Sequence, residues 1–156
     1  MPNSRISGLH TQQWNDMIDV NLKGVLNGIA AVMPIFIKQK SGHIITTSSI
    51  AGIKSFMDCW VYSATKFAVR NLMQVIRQES ATEQINIRTT TLYPAAINTE
   101  LLQSITDTTV LQSMTELYKQ VGISPDAIAR VVNFAIEQPE DTNISELTII
   151  YPTKQV

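Results

Sequence analysis

Apolar side chains recur at every third or fourth position over long stretches of the chain, which is the periodicity of amphipathic helices. The longest stretch predicts a helix over about residues 11–40, with Pro34 kinking its last turn and Ser41-Gly42 ending it. A second stretch predicts another helix over about residues 60–81.

The helical pattern returns in the second half of the chain. Residues 99–122 predict one or two helices with a flexible join. Ser124 is a favourable N-cap and Pro125 a favourable first helical residue, so a last helix is expected to run to about Gln138.

Short runs rich in β-branched residues lie between these helices and predict strands. They read HIITTSS from His43, INIRTTTLYP from Ile85 and ELTIIYP from Glu146. Helices and strands alternate, and this order favours parallel strands joined by helical crossovers. The predicted fold class is therefore α/β, with a layered parallel sheet.

Composition narrows the classes of function. The 156 residues are 44% hydrophobic and 16% charged, which suffices for one domain with a packed core. A net charge of −1 with scattered lysines and arginines argues against binding nucleic acid. The longest apolar run is interrupted by Asn27 and Pro34, which argues against a membrane span. A single cysteine, Cys59, and an N-terminus unlike a signal peptide favour the cytoplasm.

The strongest candidate chemistry is the pair Tyr62 and Lys66, which lie four residues apart and so share one face of the second helix. A nearby ammonium favours the phenolate. Acid/base work at neutral pH would require the phenol pKa to fall from about 10 to near 7, which is about 4 kcal/mol. Alternatively, the pair is an ordinary surface pair.

Two other polar residues fall where a site could form. Ser49 lies 13 residues before Tyr62 at the carboxyl end of a predicted strand, where parallel sheets bind ligands. It could equally cap the loop backbone. Asn21 lies on the predicted buried face of the first helix, where its amide needs partners, and it could either join a proton relay or bridge backbone segments.

Four segments, read in order, resemble the successive motifs of the short-chain dehydrogenase/reductase family: DVNLKG, GHIITTSSIAG, YSATKFAV and LYPAAINTEL. The resemblance spans about residues 1–101 and more loosely the rest, and its order and spacing make it specific. It implies the second half of a three-layer, doubly wound, Rossmann-like parallel sheet. It also implies an oxidoreductase that transfers a hydride between NAD or NADP and an alcohol or carbonyl substrate.

The resemblance implies a role for each candidate. Tyr62 would be the general acid in reduction and the base in oxidation, and Lys66 would lower its pKa while binding the nicotinamide ribose. Ser49 would hold the substrate oxygen, and Asn21 would position a water molecule that links Lys66 to solvent.

The resemblance also implies which residues line the cofactor and substrate sites, and no metal site is expected. The implied cofactor-binding residues are Asn21, Tyr62, Lys66, Pro94, Ala95, Ile97 and Thr99. The implied substrate-pocket residues are Ser49, Met57, Cys59 and Trp60. NADP is slightly favoured over NAD, because the ending ELTIIYPTKQV resembles NADP-dependent members that oxidise serine and related 3-hydroxy acids.

The sequence departs from the family pattern in two ways. Ala95 stands where the family usually has glycine, and the glycine-rich pyrophosphate turn is not found. Residues 1–156 are therefore expected to be the single catalytic part of an N-terminally truncated domain, inactive alone. The alternative is a redox-inactive scaffold or partner-binding module.

The expected partners are a small alcohol or carbonyl and further copies of the chain. In the family, the two long helices form a four-helix contact, which implies a homodimer or homotetramer. Neither a nucleic acid nor a membrane is expected as a partner.

Overall fold

The computed structural model describes residues 2–152; Met1 and the end of the predicted tail, residues 153–156, lie outside the described residues. Within that range, one or two helices precede each strand along the chain. The helices are α1 (Thr11–Ile18), α2 (Gly24–Gln39), α3 (Trp60–Glu83), α4 (Thr108–Val121) and α5 (Pro125–Ile136). The strands are β1 (Gly42–Thr47), β2 (Ile87–Pro94) and β3 (Glu146–Ile149).

The three strands form one parallel sheet in the order β1-β2-β3. β2 is central, with Gly42 opposite Ile87 on one side and Thr91 opposite Glu146 on the other. Leu92 is completely buried, as expected for a parallel strand covered on both faces. The predicted α/β fold is confirmed, and its parallel strands bring the ends of β1 and β2 to one edge of the sheet.

The long first helix is confirmed, but its middle and its end differ from the prediction. A π-helical segment, Asp19–Lys23, joins α1 to α2, and α2 continues past Pro34 to Gln39. The helix ends at Gln39, one residue before the predicted end and before the predicted stop at Ser41-Gly42. Lys40 takes the left-handed conformation, with φ of 52°, that ends the helix, because the chain enters β1 already at Gly42.

The combined helical stretch Thr11–Gln39 is long and apolar enough to cross a membrane, with a mean hydropathy of 1.6 in its most apolar window. It is the single such helix in the described part of the chain. Asn27 and Pro34 interrupt the apolar run in the sequence, but both residues lie inside the helical stretch and do not end it. Length and composition are weak evidence for a membrane span, since helices of soluble proteins can meet the same criterion.

Residues 99–122 contain a 3-10 turn, Glu100–Ser104, followed by α4. The Asp107 side chain accepts hydrogen bonds from two amides of the first turn of α4, which fixes where that helix begins. Ser124 caps α5 as predicted, and α5 ends at Ile136, two residues before the predicted end. These two helices form the outer wall of the cleft described next.

Candidate active site

A cleft of about 1100 Å³ opens at the edge of the sheet where β1 and β2 end. It is lined by every sequence-predicted site residue except Trp60: Asn21, Ser49, Met57, Cys59, Tyr62, Lys66, Pro94, Ala95, Ile97 and Thr99. The fold therefore brings together residues from α3, the π-helical segment and the loops after both strands.

Ser49 lies two residues beyond β1, in extended backbone, and is 8% exposed. Its hydroxyl accepts a hydrogen bond from the Ala51 amide at 3.1 Å and so caps the 3-10 turn Ile50–Gly52. The same hydroxyl donates to the Pro94 carbonyl at 3.5 Å, and it lies close enough to the Tyr62 side chain to lower the pKa of the phenol. Ser49 thus caps the loop and also contacts the candidate acid.

Tyr62 lies in the first turn of α3 and is 9% exposed. The pKa of its phenol is raised to about 12, mainly by burial; the Ser49 hydroxyl opposes this shift, and the nearby Tyr118 and Cys59 add to it. This direction is opposite to the one that the family resemblance implies. At neutral pH the described cleft therefore holds Tyr62 as a protonated phenol.

Lys66 lies one helical turn after Tyr62, with its ammonium nitrogen 5.6 Å from the centre of the Tyr62 ring. The ammonium donates a hydrogen bond to the Thr47 carbonyl at 2.9 Å. Burial lowers the pKa of Lys66. Lys66 thus lies near Tyr62 as predicted, but its direct hydrogen bond is to the end of β1, and the desolvation of the phenol dominates the Tyr62 pKa.

Asn21 lies within the π-helical segment, a local widening that occurs frequently at functional sites. Its side-chain amide donates to the Thr65 hydroxyl at 3.2 Å, and that hydroxyl donates to the Tyr62 carbonyl at 2.8 Å. This chain of hydrogen bonds ties the first long helix to the turn of α3 that carries Tyr62.

Sequence reasoning missed two residues that hold Lys66 in place. The Ser48 hydroxyl donates to the Lys66 carbonyl at 2.9 Å. At Gly52, an added Cβ would lie 2.8 Å from that carbonyl oxygen and would also collide with the Ser48 hydroxyl. The segment SSIAG carried the signal, since a glycine close after two serines is typical of a tight approach between backbones.

The implied substrate-pocket residues occupy different environments. Met57 is 91% exposed at the cleft rim, while Cys59 accepts a hydrogen bond from the Asn3 amide at 3.0 Å. The pKa of the Cys59 thiol is raised to about 11, mainly by burial and also by the nearby Asp58, while the hydrogen bond from Asn3 opposes the shift. Trp60 does not line the cleft, because its ring packs edge-on against Trp14 with a centroid distance of 4.7 Å.

The model of the short chain dehydrogenase family matches residues 1–110. The chain belongs to this family. The match covers all four of the predicted catalytic residues, so their convergence in one cleft coincides with the region that family members share.

The relatives of this chain are named as oxidoreductases without a stated substrate. The chain is 63% identical over 155 residues to an uncharacterized oxidoreductase of Listeria monocytogenes and 50% identical to one of Staphylococcus saprophyticus. Each match covers 99% of this chain and 62% of the relative. The chain therefore spans about 62% of the length of these proteins.

Solved structures confirm the Rossmann-like fold. Serine dehydrogenase from Escherichia coli superimposes with a TM-score of 0.81 at 22% identity, covering all of this chain and 61% of that one. The closed form of serine dehydrogenase complexed with NADP+ gives 0.85 at 23% identity, with coverage of 99% and 62%. At these identities the likeness extends to the fold alone.

The loop after β2 fits the nicotinamide cofactor of a short-chain dehydrogenase. Ile97 forms a parallel bridge with Ile123, made by the Asn98 amide and the Ala96 carbonyl, so the amide and carbonyl of Ile97 itself point away from Ile123. They could bond a carboxamide group. Ala95 is not in the left-handed region, so the usual glycine is not required by the backbone conformation there.

Two observations complete the site. The Thr99 hydroxyl accepts a hydrogen bond from the Leu101 amide at 3.3 Å and caps the following 3-10 turn. Among residues 2–152, no group of three or more His, Cys, Asp and Glu side chains is placed to hold a metal ion.

Proposed function

We propose that this chain is the catalytic part of an oxidoreductase that transfers a hydride between NAD or NADP and an alcohol or carbonyl substrate. The observation that carries the proposal is the convergence of the Ser49 hydroxyl and the buried phenol of Tyr62 in one cleft, which Lys66 and Asn21 also line. A proton donor beside a second hydroxyl is suited to a carbonyl oxygen, since both groups can hydrogen-bond it.

In the reducing direction, Ser49 orients the substrate carbonyl and Tyr62 donates its proton to the oxygen. In the oxidising direction, the alcohol oxygen gives its proton to the Tyr62 phenolate while the carbinol carbon loses a hydride, so the C–H and O–H bonds are replaced by a C=O bond. A bound nicotinamide supplies the hydride acceptor or donor. Lys66 and the backbone of Ile97 are the residues proposed to hold that cofactor.

NADP is the cofactor that we favour. Its support is the likeness in fold to the serine dehydrogenase complexed with NADP+ and to an alcohol dehydrogenase of Thermococcus sibiricus complexed with 5-hydroxy-NADP. We further propose a cytoplasmic location, in which the free thiol of Cys59 remains reduced.

The proposal is tested with the full-length protein that contains this chain. Ketones and secondary alcohols are supplied with NADPH or NADP+, and in parallel with NADH or NAD+, while the absorbance of the reduced nicotinamide is followed. We expect turnover that is greater with the phosphorylated cofactor. A protein that binds either nicotinamide but turns over no carbonyl or alcohol would contradict the proposal.

A further inference from the structure

The outer wall of the cleft is apolar. Helix α5 turns Ile128, Val132 and Ile136, spaced four residues apart, towards the cleft, and α4 contributes Met114 and Leu117. None of these five side chains is fully buried. They offer a surface that can contact the apolar part of a bound molecule.

The charged residues of the cleft are unsuited to an anionic substrate. Among the described lining residues, the charged side chains are Asp16, Asp58 and Lys66. Lys66 already donates to the Thr47 carbonyl and is the residue proposed to hold the cofactor. A substrate carboxylate would therefore lose hydration in a cleft whose described lining contains two acidic side chains and no arginine or second lysine to pair with it.

The start of α5 offers an anion little compensation. Pro125 at the cleft has no amide hydrogen, and the Ser124 hydroxyl already accepts a hydrogen bond from the Asp126 amide at 3.2 Å. Asp126 adds a negative charge to the same turn. The positive end of the α5 dipole is therefore already partly neutralised by Asp126 and Ser124.

The polar groups at the reacting end are neutral hydroxyl and thiol groups. Tyr118, on α4, lies close enough to Tyr62 to raise the pKa of that phenol, and Cys59 in turn raises the pKa of Tyr118. Burial raises the pKa of all three groups. Tyr118 lines the cleft and makes no side-chain hydrogen bond to another described residue. This end of the cleft can therefore hold a carbonyl or hydroxyl group through neutral hydrogen bonds.

We propose that the substrate is an uncharged, largely apolar alcohol or ketone, whose oxygen lies at Ser49 and Tyr62 and whose hydrocarbon part lies against α4 and α5. This inference rests on the proposed function. It separates this chain from enzymes that act on amino acids or hydroxy acids, including the serine dehydrogenases whose fold it shares.

The test compares each acid with its own methyl ester, so that the reacting carbinol is the same and only the charge differs. The full-length protein is assayed with 3-hydroxybutyrate, 3-hydroxyoctanoate and their methyl esters, with both NADP+ and NAD+. We expect kcat/KM to be about 100-fold higher for each ester than for its acid, and higher for the longer ester. We expect the esters, and not the acids, to raise the Tm.

A second test introduces a positive charge into the apolar wall by substituting arginine for one of its residues. Leu117→Arg should reduce the preference for the ester at least about tenfold, because the guanidinium can pair with the carboxylate. Gln112→Arg, which adds the same charge to an exposed position of α4 outside the cleft, should leave the preference unchanged.

The outcomes separate the two proposals. Equal or better use of the acids by the unmodified protein would overturn the inference and leave the proposed function intact. An equal shift of the preference by both arginine variants would also overturn it, since the effect would not then come from the cleft wall. If none of the four compounds is turned over with either nicotinamide, the proposed function is contradicted, and this inference is contradicted with it.

Discussion

The phenol of Tyr62 is the proton-transferring group of the proposed reaction, and its pKa of about 12 means that it is almost wholly protonated at neutral pH. Donating this proton to a carbonyl requires no prior ionisation. Accepting a proton from an alcohol requires the phenolate, whose formation at pH 7 costs about 7 kcal/mol at that pKa. The protonation state of Tyr62 in the described cleft is therefore the one that the proposed reduction requires.

Tyr62→Phe should lower kcat by about 100-fold or more, because the proton donor is lost. The ring should still pack beside Met17 and Ala51, so the Tm should change little. Steady-state kinetics and thermal unfolding measure the two effects. The matched control is Tyr93→Phe, which removes a buried phenol outside the cleft and should preserve turnover. Retention of more than about a tenth of kcat by Tyr62→Phe would contradict the assignment.

Under the role that the family resemblance implies for Lys66, Lys66→Met should move the pH profile of alcohol oxidation to higher pH, although Lys66 is not among the groups that shift the Tyr62 pKa in the described cleft. Oxidation needs the phenolate, so its rate rises as the pH passes through the Tyr62 pKa, and removal of a nearby cation raises that pKa. Cofactor binding should weaken as well. The control Lys54→Met removes a cation that lies 5.9 Å from the Phe56 ring and does not line the cleft. A profile that did not move would exclude Lys66 from tuning the phenol.

The 3-10 turn Ile50–Gly52 connects the end of β1 to the helix that carries Tyr62 and Lys66. Ser49 caps this turn, Ser48 bonds the Lys66 carbonyl, and Gly52 permits the backbones to approach each other. These three contacts lie within five residues. They make the turn a support for the positions of both candidate catalytic side chains.

Gly52→Ala should lower the free energy of unfolding by about 1–3 kcal/mol, because the added methyl group meets the Lys66 carbonyl and the Ser48 hydroxyl. Urea unfolding measures the change. Gly28→Ala is the matched control: its Cβ meets nothing within 4 Å, and alanine in α2 should add about 0.5–1 kcal/mol. Two variants of equal stability would show that the approach at Gly52 is not tight.

The π-helical segment, which belongs to the first long helix, also helps to hold the site together. A π-helix widens one turn of the long helix, and this is the turn from which Asn21 reaches Thr65 of α3. The two long helices are thus joined by a side-chain hydrogen bond to Thr65, whose hydroxyl in turn donates to the carbonyl of Tyr62.

The outer surface of the two long helices carries more apolar area than the described chain covers. Leu26, Ile35 and Ile37 of α2 are 42%, 59% and 48% exposed, and Phe67 of α3 is 38% exposed. We propose that this surface forms a contact between copies of the chain, giving a homodimer or homotetramer.

Light scattering of the full-length protein should therefore report two or four copies, and Phe67→Lys should shift the distribution to smaller species. The control is Ile6→Lys, which replaces a residue that is 65% exposed and lies outside these helices; it should leave the distribution of species unchanged. A monomer at micromolar concentration would contradict the proposal. Recovery of the protein in the membrane fraction would instead indicate that the long helix meets lipid.

Most of the secondary structure was predictable because apolar periodicity and capping are local. The Ser124-Pro125 start of α5 and the run before Pro94 needed only their immediate neighbours to be recognised. The candidate site was predictable in its membership, since four ordered motifs name Asn21, Ser49, Tyr62 and Lys66, and all four line one cleft.

The tertiary structure decided what depends on residues far apart in the chain. The carbonyl that binds the Lys66 ammonium belongs to Thr47, 19 residues earlier, and Asn21 bonds a hydroxyl 44 residues later. The direction of the Tyr62 pKa shift follows from desolvation, which only packing determines. A sequence specifies local conformation through neighbouring residues, but the partners and the burial of a side chain exist only once distant segments have come together.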